Sequence, residues 1–272
     1  MVFFTDLTRY FASSQAILFH SYNYAHFQGT GWFSLTAKRT ISIIQIVLAV
    51  LVAAGIAWLV FKVVSYNQAQ QVYRDIEKAY ANESSGLFNE KPPVDLAALQ
   101  SEYPDVVAWI AMDDVDVSYP VVQGDDNDFY LYNDPSGNNN IDGSVFLDYR
   151  TKSLDTDLYA LMYGHNMIDE SMFGQLDNYV DEGFYNAGTG SFMVYTPEGS
   201  YRYKIFAVNI VDPMDEVYQV GFTNTQVFGA FVRQLKERSM YDTGVDVEGY
   251  DHVLTLSTCS DTNRLVLSAK RM

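Results

Sequence analysis

The sequence predicts a mainly β domain with flanking helices, a closed barrel or sandwich of about eight strands, preceded by an N-terminal transmembrane helix. One run of 24 residues, Ile41 to Val64, is almost entirely apolar. Beyond residue 94, short runs rich in β-branched and aromatic residues alternate with turn residues, and few helical stretches interrupt them. With 48% hydrophobic residues, the chain can fill one packed core of about 180 residues.

The apolar run is long enough to cross a bilayer, because about 20 apolar residues span one as a helix. Its only polar residues are Ser42, Gln45 and Lys62. Lys38 and Arg39 precede it, whereas bases and acids are mixed after it. Since positive charge favours the cytoplasmic side, we expect a cytoplasmic N-terminus and an extracellular C-terminal domain. The length of the run and the roughly 40 residues before it argue against a cleaved signal peptide.

The predicted organisation has four parts. Residues 1–40 form a cytoplasmic N-terminal segment, 41–64 the transmembrane helix, 65–93 a helical stalk and linker, and 94–272 the folded domain. Two interpretations of residues 1–40 stand: apolar residues at helical spacing indicate a helix in the membrane plane, or translation starts nearer Lys38. The linker ends at Pro92-Pro93, which would stop a helix.

Within the folded domain, the alternation of residue types predicts eight strands and three helical stretches. The predicted strands are Val106–Met112, Val115–Val122, Ser144–Leu147, Leu158–Tyr163, Ser191–Tyr195, Tyr201–Val211, His252–Thr258 and Arg264–Ala269. The predicted helical stretches are Asn127–Tyr132, Ser171–Asn178 and Asn224–Arg238, the last with an apolar stripe of Val227, Phe228, Phe231, Val232 and Leu235.

Charge and motif content exclude several classes of function. The formal net charge is −17, and Asp6 is the only acid before residue 66, so the folded domain is strongly acidic and would repel nucleic acid. A single cysteine rules out an intramolecular disulfide. The acidic stretches DDVDVSYP and GDDNDFYL lack the glycine and terminal glutamate of an EF-hand loop. No zinc spacing, phosphate loop or dinucleotide fingerprint occurs, so we expect neither metal nor cofactor.

Three residues could together carry out thiol chemistry: Cys259, His165 and Arg264. A cysteine attacks as the thiolate, so a base or cation must assist it. A histidine can take that proton and later protonate a leaving amine. An arginine supplies permanent N–H donors to a developing oxyanion.

Each residue also has an ordinary structural interpretation. The cysteine could be a small packed side chain, the histidine a turn residue and the arginine a surface charge. His252 is the competing histidine, but it lies seven residues before Cys259 on the same predicted strand, roughly 20 Å away. Spacing alone therefore leaves both interpretations open.

Four blocks of sequence resemble the sortases, most closely class B. They are WIAMDDVDVSYPVVQGDDNDFYLYND (109–134), GSVFLDYR (143–150), YGHNMIDESMFGQL (163–176) and TLSTC (255–259), and the resemblance covers about Val94 to Met272. It implies that residues 94–272 form a sortase catalytic domain with the family's eight-stranded β-barrel.

The resemblance also implies roles for individual residues. Cys259 would be the nucleophile, His165 its acid–base partner and Arg264 the oxyanion or substrate clamp. Three further residues match substrate-groove positions of the family: Asn127, Leu131 and Ser257. Asp261 matches an acid of some class B members, with a minor role or a plain surface charge as the two interpretations.

By this resemblance the protein would be a membrane-anchored cysteine transpeptidase. It would cleave a C-terminal sorting signal of a secreted protein after Thr, form a thioester, and pass the protein to a cell-wall amine of a peptidoglycan precursor or stem peptide. Alternatives are a pilin-polymerising sortase that uses a pilin lysine, a thiol peptidase, and a catalytically silent surface-binding domain. The sequence departs from the class B pattern in a short Cys259–Arg264 loop and a long N-terminal segment.

Overall fold

The computed structural model describes residues 33–81, 92–259 and 262–272. Expectations for residues 1–32, for the linker at 82–91 and for Asp261 lie outside these ranges. The chain divides into two compact units, with the boundary between Val60 and Phe61.

Helix α1, Phe33–Tyr80, is one continuous element of 48 residues. Its apolar part exposes large side chains from Ile41 to Val64 and is long and apolar enough to cross a membrane. The sequence suggested separate apolar and polar helices here. They form one helix, and no proline interrupts it. Ser65 and Asn67, where the polar part begins, donate to carbonyls one turn back, at 2.9 Å each.

Eight strands close into a barrel, which confirms the predicted fold class. They are β1 Val106–Met112, β2 Val117–Val122, β3 Val145–Leu147, β4 Tyr159–His165, β5 Ser191–Tyr195, β6 Ser200–Val211, β7 Val253–Cys259 and β8 Arg264–Arg271. Their order around the barrel is β1-β2-β3-β4-β7-β8-β6-β5. The β2–β3 and β4–β7 pairs are parallel and the others antiparallel.

Helices cover the outside of the barrel. They are α2 Leu96–Glu102, α3 Glu182–Ala187 and α4 Thr225–Glu237, with 3-10 turns at Phe129–Leu131, Gly174–Val180 and Glu216–Tyr218. Asn224 caps α4 by accepting from the amides of Gln226 and Val227. The buried stripe of α4 is Phe228, Phe231, Val232 and Leu235; Val227, which the pattern included, is exposed.

Alternate strand residues face two different cores, as a pleated strand requires. On β7, Leu254 and Leu256 belong to the barrel interior, together with Met162 of β4. On the other face, Tyr159 and Leu161 pack with the apolar residues of α4. The strands are therefore buried on both faces, by the barrel interior on one side and by α4 on the other.

The C-terminal part of α1 packs against the segment before β3. Gln70 Nε2 donates to Asp142 Oδ2 at 2.6 Å, while Asp142 Oδ1 has no hydrogen-bond partner among the described residues. The side chain of Asp142 is fully buried, and this burial raises its pKa to about 6, against the lowering effect of the Gln70 amide.

We predict that Asp142→Asn stabilises the protein at neutral pH. Because the folded-state pKa of Asp142 lies above the ordinary value of about 3.9, its favourable contribution is complete at low pH and is lost as pH rises through about 6. The asparagine does not titrate and avoids this loss. The gain in Tm over wild type should therefore grow between about pH 4 and about pH 6 and level off above. A gain independent of pH would contradict this assignment.

Candidate active site

The catalytic candidates His165 and Cys259 are brought together by a strand pairing. β4 and β7 run parallel in an unbroken register from Tyr159 opposite Val253 to His165 opposite Cys259. Both candidates are the last residues of their strands. Residues 94 apart in the sequence thus become direct neighbours on adjacent strands, which are about 4.8 Å apart.

Arg264 reaches the same end of the barrel on the next strand. It is the first residue of β8, which pairs antiparallel with β7 as far as Ser257 opposite Val266. The buried Thr258 hydroxyl accepts from the amide of Leu265 at 3.0 Å and holds this end of the hairpin together. The three candidates therefore lie at one end of three neighbouring strands.

A cleft of about 360 Å³ opens at this position. Its lining residues are Asn127, Asp128, Leu131, Tyr132, Phe146, Tyr163, His165, Pro213, Tyr218 and Arg264. Four of the predicted site residues are among them. Ser257 is fully buried, and its hydroxyl bonds to that of Tyr218 at 3.0 Å, so it meets the cleft through that tyrosine. His252 lies at the opposite end of β7, with Nδ1 2.9 Å from the carbonyl oxygen of Asp157.

The imidazole of His165 is oriented by a backbone carbonyl. Its Nε2 lies 2.7 Å from the carbonyl oxygen of Leu131. Since a carbonyl only accepts, Nε2 carries the proton and the neutral ring keeps Nδ1 as its acceptor. The Leu131 carbonyl thus takes the place of the third group that orients a catalytic base in hydrolytic triads.

Gly164 is required by the packing beneath the histidine. A Cβ on Gly164 would lie 2.7 Å from the ring of Phe173, which is fully buried. The amide of Phe173 donates to the carbonyl of His165 at 2.9 Å. The segment after β4 therefore folds back directly onto the residues Gly164-His165.

A buried carboxylate, Asp148, organises one wall of the cleft. Its side chain has no exposed surface and forms a bidentate pair with Arg150, at 2.8 Å from Nε and 2.7 Å from a terminal nitrogen. It also accepts from Asn127 Nδ2 at 3.0 Å and from the hydroxyl of Tyr163 at 2.9 Å. The amide of Tyr149 donates to Asn127 Oδ1 at 3.0 Å, so both polar atoms of the Asn127 side chain are engaged.

Two stacked tyrosines extend this arrangement to β7. The ring of Tyr163 lies 5.1 Å from that of Phe146 and 6.3 Å from that of Tyr218. Arg150 donates to the carbonyl of Tyr218 at 3.2 Å, and the hydroxyl of Tyr218 bonds to Ser257, two residues before Cys259. The wall is therefore connected from Asp148 to the strand that carries the cysteine.

The charge state of Asp148 follows from these contacts. Burial alone would raise its pKa, but the hydrogen bonds from Arg150, Asn127 and Tyr163 hold the pKa below its usual range. Burial and the neighbouring carboxylate of Asp148 raise the pKa of Tyr163. Asp148 is therefore an anion and Tyr163 a neutral donor at physiological pH.

Sequence reasoning gave no role to Asp148, Arg150, Tyr163 or Tyr218. The first three lie within quoted family blocks, but an Asp and an Arg two residues apart at a strand end have the pattern of surface charges. Among residues 33–81, 92–259 and 262–272, no group of three His, Cys, Asp or Glu residues could hold a metal ion. The described site offers an acid–base imidazole, a fixed cation and a polar cleft, which suit acyl transfer.

Comparison with known proteins agrees with this fold. Residues 110–272 match the model of the sortase domain. Sortase B of Listeria monocytogenes is 31% identical over 236 residues, covering 84% of this chain and 95% of that protein. A Staphylococcus aureus sortase B–substrate complex superposes with a TM-score of 0.69 at 26% identity, covering 77% of this chain and 98% of that one. A sortase B complexed with triglycine gives a TM-score of 0.62 at 29% identity, covering 65% and 85%.

The chain therefore belongs to the sortase family of transpeptidases. Within the family, the relatives and structural neighbours are of class B. Both statements confirm the resemblance drawn from the four sequence blocks.

We predict that Asp148→Asn lowers the free energy of unfolding at pH 7 by about 2–4 kcal/mol, because a partly buried arginine loses its partner. The folded-state pKa of Asp148 is depressed, so its contribution is present above the ordinary pKa and is lost as pH falls below about 4. The difference from wild type in urea unfolding should therefore shrink steadily as the pH is lowered below about 4.

Asp114→Asn is the matched control. This carboxylate accepts from the amides of Thr189 and Gly190 and from the hydroxyl of Tyr179, outside the cleft lining. Both variants should be destabilised at pH 7, but only Asp148→Asn should weaken the binding of a substrate peptide. Equal peptide binding by the two variants would contradict the assignment of Asp148 to the cleft wall.

Proposed function

We propose that this protein is a membrane-anchored cysteine transpeptidase that attaches secreted proteins to a cell-wall amine. The observation that carries the proposal is the register of β4 and β7, which sets His165 opposite Cys259 next to a cleft that Arg264 lines. Membership of the sortase family supports the same reaction class.

In the first half-reaction the Cys259 thiolate attacks the carbonyl carbon of the Thr in a C-terminal sorting signal, so that the peptide bond after this Thr is the one cleaved. Arg264 stabilises the oxyanion of the tetrahedral intermediate. The C–N bond then breaks, the His165 imidazolium gives its proton to the departing amine, and a thioester remains on Cys259. The Leu131 carbonyl supports the imidazolium, because it accepts from Nε2 in either charge state.

In the second half-reaction an amine attacks the thioester. His165 takes the proton that this amine loses, the C–S bond breaks, and the thiolate returns as the new amide forms. The solved sortase B complexes with a substrate and with triglycine support a peptide in the cleft and an amine as acceptor. A peptidoglycan precursor or stem peptide would supply that amine.

The proposed peptide site is the wall formed by Asn127, Leu131 and Tyr163. Its polar atoms are fixed in advance by Asp148, so binding requires little reordering of side chains. Ser257 contributes by holding Tyr218. For Asp261 both interpretations stand, a minor role in the site or a plain surface charge.

The proposed location is the cell membrane, with a single span in helix α1, a cytoplasmic N-terminus and an extracellular catalytic domain. The length and hydropathy of the helix support a span, and Lys38 and Arg39 support this orientation. Both substrates of the proposed reaction would lie at the extracellular surface of the cell membrane. The proposal includes the four parts of the chain: a cytoplasmic segment at 1–40, the span at 41–64, a stalk and linker at 65–93, and the catalytic domain at 94–272.

We predict that Cys259→Ala abolishes acyl transfer, because no other thiol exists in the chain. The full-length protein in nanodiscs is incubated with a library of sorting peptides, with and without an amine acceptor, and followed by intact-protein mass spectrometry. Wild type should form a thioester adduct that turns over to an amide. Arg264→Ala and His165→Asn should each lower kcat/KM by about a hundredfold or more.

His252→Asn is the matched control for His165→Asn and should retain activity, because His252 lies at the other end of β7. If acyl-transfer activity survives Cys259→Ala, the assignment of Cys259 as the nucleophile is wrong. Hydrolysis without amide formation at any amine concentration would make the protein a thiol peptidase. A folded wild type that binds peptides without any adduct would make it a silent binding domain.

A further inference from the structure

The part of helix α1 that follows Phe61 belongs to the same compact unit as the barrel. One of its faces is buried against this unit: Ala69, Tyr73 and Ile76 each expose less than a tenth of their surface. The neighbouring Gln71 is exposed. The buried face contacts one backbone segment, here termed the acceptor segment (residues 129–144), and the ring of Tyr119. The Tyr119 hydroxyl in turn bonds to the turn that follows His165, here termed the histidine turn (residues 166–174).

The acceptor segment is bonded to the helix at three consecutive places. Asn140 Nδ2 donates to the carbonyl of Ala69 at 3.2 Å, Gln70 Nε2 donates to Asp142 at 2.6 Å, and the Tyr73 hydroxyl donates to the carbonyl of Gly143. These are long-range contacts, about 70 residues apart in sequence, and they lie in the interior or are partly buried.

From there the acceptor segment leads directly to the histidine. The amides of Asn140 and Ser144 donate to the carbonyls of Tyr132 and Tyr130, at 2.9 Å each, on either side of Leu131. Gly143 has φ +56° and packs so closely that a Cβ there would clash with the Leu131 carbonyl oxygen. That oxygen is the one that contacts His165 Nε2.

The histidine turn is reached through the ring of Tyr73. The Tyr73 ring packs edge-to-face on the ring of Tyr119, with 5.5 Å between the ring centroids. The Tyr119 hydroxyl accepts from the amide of Met172 at 3.1 Å, and Met172 pairs with Asn166 across the turn. The next residue, Phe173, donates to the carbonyl of His165.

We infer that the juxtamembrane part of α1 is a positioning element of the active site, in which Gln70 and Tyr73 hold both the carbonyl that orients the His165 ring and the turn that follows His165. The inference rests on the proposed function in one respect, namely that His165 is the acid–base group. Gln70 and Tyr73 touch neither the cleft lining nor the reacting atoms, so their effect is transmitted through Leu131 and Met172.

The physical consequence concerns the chemical step. A shift of about 1 Å in a reacting group can cost a hundredfold in rate, whereas two of the three proposed peptide-site residues, Asn127 and Tyr163, are held by Asp148 and not by the helix. Loss of the two helix contacts should therefore lower kcat and leave KM nearly unchanged. It should also weaken the bond between His165 Nε2 and the Leu131 carbonyl, which can be observed without any substrate.

The test uses the full-length protein in nanodiscs and the variants Gln70→Ala, Tyr73→Phe and their combination. Gln71→Ala and Tyr80→Phe are matched controls that remove the same groups from α1: Gln71 is exposed, and the Tyr80 hydroxyl donates to Glu102. Acyl-transfer kinetics and the NMR resonance of the His165 Nε2 proton, assigned with His165→Asn, are recorded for each. His252 is the internal reference, because its partner is the Asp157 carbonyl.

We expect the double variant to lose about tenfold in kcat, with KM within about twofold, and the His165 proton resonance to broaden through solvent exchange. The controls and the His252 signal should not change. Tyr73→Phe keeps the ring packing, so it remains folded even where the double variant melts early.

A double variant with a lower Tm but unchanged kcat and imidazole resonance would overturn the inference, because the helix would then only stabilise the fold. If wild type shows no acyl transfer, the proposed function fails, and the proton resonance alone still decides whether the helix positions His165.

Discussion

The ion pair between Asp148 and Arg150 is the interaction on which the geometry of the cleft depends. A buried carboxylate is stable only when its charge is compensated, and here one arginine, one amide and one phenol compensate it together. Because each of these partners is also a wall residue or bonds to one, satisfying the charge fixes the wall. The order of the cleft wall thus depends on compensating the buried charge of Asp148.

The catalytic end of the barrel combines this rigid wall with residues placed by backbone register alone. His165, Cys259 and Arg264 are each the terminal residue of a strand. The ring of His165 is then oriented by a carbonyl from a different segment. The cleft therefore has two supports: Asp148 holds Asn127 and Tyr163, and the acceptor segment supplies the Leu131 carbonyl that orients His165.

Much of this could be predicted from the sequence. The eight strands follow from alternation, and the sequence blocks pointed to His165, Cys259 and Arg264. The Asp148 network could not be predicted, because its members lie in different elements and acquire meaning only when Asn127 and Tyr163 meet it in space. The contacts of Gln70 and Tyr73 could not be predicted either, because both residues lie in a polar helix and their partners are about 70 residues away in the sequence. Local patterns define elements, whereas sites depend on the distances between them.

The parallel pairing of β4 with β7 also bears on when the protein can become reactive. The residues between these strands include β5, β6 and α4, and β7 has only β8 after it. A growing chain whose C-terminal strands are still missing has His165 but no cysteine beside it. The pairing of His165 with Cys259 forms only once β7 and β8 have been synthesised and the barrel has closed. A product truncated before β7 therefore lacks the assembled site, so the order of the strands along the chain makes this site one of the last features to form.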